Sequence, residues 1–110
     1  MKISNCRTIP DEQLNKAFIE VAGLTRGWTP FFCGDDAMVA RFVCQQILSL
    51  FGAEAYLSWS LLEDVWICKL YKKGELVYEY QSFNIGKAVV IAFLEYREIY
   101  YAHVDAVRVV

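Results

Sequence analysis

The sequence predicts an α+β fold, one domain (residues 1–110) in which helices pack on a three-stranded antiparallel meander in the order α-α-β-β-β-α. Apolar residues recur at helical spacing over the first half, change to a period of two from Ala55 (weakly over Val65 to Tyr71, apolar on both sides), and return to helical spacing after Asn84. Gly23, Gly52 and Gly74 stand at joints between these stretches. The short connections between the alternating stretches favour a meander over a parallel arrangement. A chain of 110 residues holds one such domain and no second one.

The first helix follows Thr8-Ile9-Pro10-Asp11, a hydroxyl N-cap with an acid three residues later and proline in the first turn. Leu14, Ala17, Phe18, Val21 and Ala22 make its apolar face, and Gly23 ends it, with Leu24 folding back onto the last turn. A second helix begins after Asp35 or Asp36 and runs to Leu50 or Phe51, with Ala40, Val43, Cys44, Ile47 and Phe51 on one stripe. Strands are expected at 55–61, 65–71 and 76–82, with Lys72-Lys73-Gly74-Glu75 as the turn between the last two. In the third, Leu76, Tyr78 and Tyr80 alternate with Val77, Glu79 and Gln81. Asn84 caps a third helix from Ile85. The tail from Ile99 is rich in β-branched and aromatic residues, which points to a short C-terminal strand around 104–109 or to an extension of the helix.

Composition removes several functions. The chain is 56% hydrophobic with a net charge of −2, so it is neither disordered nor a basic nucleic-acid-binding module. Cys6, Cys33, Cys44 and Cys68 form no C-x-x-C pair and lack a neighbouring histidine, so they read as free thiols, with no metal and no cofactor implied. The first residues lack the apolar core of a signal peptide, and no stretch is long enough to span a membrane. A cytoplasmic protein is the expectation. There is no glycine-rich phosphate loop, no H-E-x-x-H and no G-x-S-x-G. His103 is the sole histidine, so an enzyme would have to use it, with Cys33 or an aspartate beside it. No catalytic residue is assigned.

Two segments stand out as candidate binding surfaces. Trp28, Phe31 and Phe32 crowd an irregular loop that ends at Asp35 and Asp36. These rings either plug the edge of the core or form an exposed recognition loop. The second is Ala88 to Leu94, apolar on every side of its helix, which must be buried on more than one face. A second copy of the chain is the expected cover, giving a homodimer through Val90, Ile91, Phe93 and Leu94 of this helix or through the tail with Tyr100 and Tyr101.

The order helix, aromatic loop, helix, meander, helix resembles that of small bacteriophage and prophage proteins, the phage ABA-sandwich domains and the related NinX-like proteins. The likeness is carried by Leu14-Asn15-Lys16-Ala17-Phe18 with Val21-Ala22-Gly23, by Trp28…Pro30-Phe31, by Asp36-Ala37, by Trp66 and by Asn84 through Leu94. It covers about residues 11–98, and the tyrosine-rich tail has no counterpart in it. It transfers no catalytic residue. It implies a phage-borne, non-enzymatic protein that binds a host protein complex, for instance a defence inhibitor of the anti-CRISPR kind acting on a CRISPR effector. The alternative is an oligomeric small-molecule or nucleotide sponge in which Trp28, Phe31, Phe32, Tyr100 and Tyr101 stack a base.

Overall fold

A computed structural model describes residues 6–24 and 30–108. It contains a 3₁₀ turn (Cys6–Thr8), α1 (Asp11–Val21), α2 (Ala37–Phe51), β1 (Glu54–Ser60), β2 (Val65–Lys72), β3 (Glu75–Ser82) and α3 (Ile85–Arg108). The sheet is antiparallel with strand order β1-β2-β3. The α+β architecture expected from the sequence is the one observed.

Local chemistry sets the helix ends. The carbonyl of Pro10 accepts from the N–H groups of Gln13 and Leu14, both at 3.0 Å, so Pro10 rather than Thr8 occupies the cap position of α1. Beyond α1 the Gly23 N–H donates to Glu20 O at 3.2 Å and the Leu24 N–H to Ile19 O at 2.9 Å. That pairing needs a left-handed residue, and Gly23 supplies it with φ +73°. Asp36 caps α2 by accepting from the Met38 N–H at 2.9 Å, and Asn84 caps α3 by accepting from the Lys87 N–H at 3.0 Å.

The register puts Ala55, Leu57 and Trp59 of β1 opposite Leu70, Cys68 and Trp66 of β2, which face Tyr78, Tyr80 and Ser82 of β3. These residues form the face toward the helices. Tyr56, Ser58, Glu79 and Gln81, on the other face, are exposed. Two expectations shift. β1 ends at Ser60, leaving Leu61 in the turn. An irregularity between Leu70 and Tyr71 makes Val77 an extra residue, so Leu76 falls opposite Tyr71 and out of phase with Tyr78 and Tyr80.

α3 is the hub, touching α1, α2, β2, β3 and the 3₁₀ turn. Its all-round apolar stretch, Ala88 to Leu94, is at most 1% exposed within a single chain. Phe93 shows how: its ring lies 4.9 Å from Phe18 of α1 and 5.2 Å from Phe51 of α2, centroid to centroid. The reasoning from Val90, Ile91, Phe93 and Leu94 to a dimer is therefore corrected. The chain's own elements cover these side chains, and they offer no surface to a second copy. Tyr100 is half-buried, 5.2 Å from the Phe51 ring, and Tyr101 remains exposed.

The strand leaned to around 104–109 is also corrected, since residues 104–108 are the last turns of α3. Tyr96 and Tyr100, four apart, both pack against Phe51, and this holds the chain in helical phase where β propensity alone favours a strand. No helix among the described residues is long and apolar enough to cross a membrane.

Candidate functional site

The loop entering α2 is held at three points. The Phe32 N–H donates to Asn15 Oδ1 of α1 at 2.7 Å, and the Gly86 N–H of α3 donates to Gly34 O at 3.0 Å. The third is close approach: a Cβ on Gly86 would lie 2.2 Å from Phe32 O and 2.4 Å from Gly34 O. Thus pinned, the loop drives the Phe32 ring inward against Phe18 at 4.8 Å and Phe42 at 5.8 Å. Phe32 is 2% exposed and Phe31 47%. Phe32 is therefore a core plug, and of the two described rings of the loop Phe31 is the one presented to solvent. Trp28 lies outside the described residues. Asp35 and Asp36 are both exposed, the latter committed to its cap.

Phe31, Asp35 and Asp36 sit at the end of the molecule where α3 begins, the end that also receives the β1–β2 turn and the exit of β3. Among the described residues the four most exposed large apolar side chains all belong there: Leu62 at 97%, Leu61 at 89%, Phe83 at 78% and Met38 at 72%. Beneath them Trp59 and Trp66 face each other across the strand pair, rings 5.3 Å apart. Ser60 organises the turn, its carbonyl accepting from the Asp64 N–H at 2.8 Å and its hydroxyl from the Glu63 N–H at 3.2 Å. The turn thereby holds two leucines outward where polar residues are usual. Asp35, Asp36, Glu63 and Asp64, all exposed, add carboxylates at the same end. Of this surface the sequence reading found Phe31 and the aspartate pair. It passed over Leu61-Leu62, whose signal was two adjacent leucines inside a turn, and Phe83, which directly precedes a helix cap.

Catalytic arrangements fare poorly. Cys33 adjoins Gly34 at the start of α3, whereas His103 lies 17 residues beyond Gly86, about 25 Å along the helix at 1.5 Å per residue. A Cys33–His103 pair is thus ruled out. Burial pushes the Cys33 thiol up to about 12, and the Cys44 thiol to about 11. Burial likewise raises the Cys68 thiol. Protonated thiols are poor nucleophiles and poor metal ligands. Among the described residues no three His, Cys, Asp or Glu side chains gather as a metal site would require. The densest polar cluster among the described residues is structural. Arg7 grips Glu95 of α3 through Nε and Nη2, both at 3.0 Å, Tyr78 donates its hydroxyl to the same carboxylate, and the Arg7 guanidinium lies over the Tyr80 ring at 4.6 Å.

Comparison with known proteins yields no matching family model, no matching curated protein and no matching solved structure.

Proposed function

We propose that this protein is a non-enzymatic binding protein whose working surface is the apolar end bearing Leu61, Leu62, Phe83, Met38 and Phe31. The carrying observation is that the domain buries the apolar stretch Ala88 to Leu94 of α3 within one chain, while its four most exposed large apolar side chains among the described residues fall in segments that the topology brings to one end. Side chains this exposed add little to the core; Phe83, Phe31 and Met38 are of the types enriched at interfaces, and the two leucines add apolar area beside them. The surrounding Asp35, Asp36, Glu63 and Asp64 match a partner whose own apolar centre is edged with Lys and Arg. Effectors that handle nucleic acid carry such basic surfaces. The resemblance to small phage proteins supports the same class of partner, a host protein complex such as a nuclease or CRISPR effector, met in the host cytoplasm.

The test is a triple variant, Leu61→Ser with Leu62→Ser and Phe83→Ser, whose circular dichroism should match the parent because the replaced side chains touch little of the core. A host complex captured by the parent is identified, purified and titrated against both forms. Saturable binding by the parent that weakens with salt and falls at least about tenfold in the variant supports the assignment. Equal binding by both forms overturns it. So does a concentration-dependent homodimer of the parent that the variant loses, since the surface would then belong to a second copy.

A further inference from the structure

The opposite end of the molecule holds a separate cleft of about 610 Å³, a size suited to a mononucleotide, between the β2–β3 turn and the later turns of α3. Lys72, Lys73 and Glu75 line it from the hairpin, and Tyr96, Tyr100 and His103 from the helix. The Tyr100 ring is backed by Phe51 at 5.2 Å and met edge-on by Tyr101 at 5.4 Å, which fixes its orientation, and the Lys72 ammonium lies 4.8 Å from its centroid.

The turn itself is unusual in one respect. Lys73 and Gly74 have φ of 53° and 81°, a two-residue connection with both central residues left-handed. Such turns favour asparagine or aspartate followed by glycine, whose side chains or lack of one tolerate that backbone. A lysine there has no such compensation, and strained positions of this kind persist at ligand sites. The residue it keeps at the mouth of the cleft is a cation.

We infer that this cleft binds a nucleoside phosphate. The base stacks on Tyr100 in the place the Lys72 ammonium now occupies. The displaced ammonium turns outward and, with Lys73, takes the phosphate oxygens. Glu75 accepts a ribose hydroxyl. Two lysines beside an aromatic face distinguish this ligand from a purely apolar one, which would leave both ammoniums without anions, and from a bare phosphate, which would leave Tyr100 unused.

Isothermal titration with ATP, adenosine and tripolyphosphate separates these cases on the intact chain. ATP should bind saturably, with adenosine and tripolyphosphate each at least about tenfold weaker. Lys73→Asn should bind ATP at least about tenfold more weakly while melting at the same temperature or higher, because asparagine suits the left-handed position. Lys72→Gln should lose affinity in parallel and keep its fold. No ATP binding up to about 1 mM, the weak limit of specific recognition, overturns the inference. Undiminished binding by Lys73→Asn overturns it, as does tripolyphosphate that binds as tightly as ATP. The surface proposed above lies at the other end, so the Leu61/Leu62/Phe83 variant should bind ATP like the parent.

Discussion

Gly86 joins α3 to the aromatic loop, and no other residue type fits there. A methyl group would meet two backbone oxygens, Phe32 O at 2.2 Å and Gly34 O at 2.4 Å, neither of which can swing aside as a side chain would. Gly86→Ala should therefore cost about 3 kcal/mol of unfolding free energy, read as a fall in the urea midpoint. Asn15 holds the loop from the other side, and Asn15→Ala, which strands the Phe32 N–H, should cost about 2 kcal/mol. Thiol reactivity offers a third measurement at this scale. In a Cys6→Ser background, Cys33, Cys44 and Cys68 should react slowly with a disulfide reagent in the folded protein and fully once urea is added, because burial keeps all three protonated. The loop also shows where reading residues in order fails. Phe31 and Phe32 are adjacent and alike, yet one is 47% exposed and the other 2%. The residues that decide between them, Asn15 and Gly86, are distant in the chain and carry no local sign of that task.

At the scale of elements, the apolar run of α3 was legible as buried, whereas its cover was not. Periodicity shows that Val89, Val90, Phe93 and their neighbours leave no polar side, and this much the helix confirms. The expectation of a second copy assumed that three helices and one small sheet could not enclose them. Convergence of α1, α2 and the pinned loop on the same helix does enclose them. Phe93→Ala should accordingly cost about 4 kcal/mol, seen in urea unfolding, with no change of sedimentation coefficient beyond that of unfolding. The tail differs for a related reason. Its β-branched residues favour a strand in isolation, but the pairing of Tyr96 and Tyr100 with Phe51 extends a helix already formed. In the sheet, the meander and its turns follow directly from alternation and Gly74, whereas the irregularity at Val77 is a pairing property that one strand's sequence cannot display.

Across the whole molecule, the shifted acidic groups all move the same way. Burial, aided by Glu95 for Tyr78, leaves the phenol of Tyr78 and the thiols of Cys33, Cys44 and Cys68 holding their protons more tightly folded than unfolded. Above pH 9, the ordinary thiol value, the unfolded chain sheds protons that the folded chain keeps. Stability fully present below that pH should drain away as pH climbs through about 11 to about 12, the folded values of Cys44 and Cys33. Urea midpoints under reducing conditions should fall steadily across that range, and a flat profile would contradict the burial of these thiols. The distribution of surface is likewise a property of the assembled chain. The four exposed carboxylates and Leu61-Leu62 lie at one end and the Lys72–Lys73 turn at the other, so the two proposed surfaces do not overlap.

Spacing, capping residues and glycine stops were enough to specify which stretches become helix or strand and in what order, because those preferences act between neighbours within a few residues. The burial of Phe32 beside an exposed Phe31, the internal cover of Val90 through Leu94, and the gathering of Leu61, Leu62 and Phe83 had to await the folded chain. Each depends on groups far apart in sequence meeting in space, and such meetings are set by the joint packing of all elements rather than by the propensity of any one.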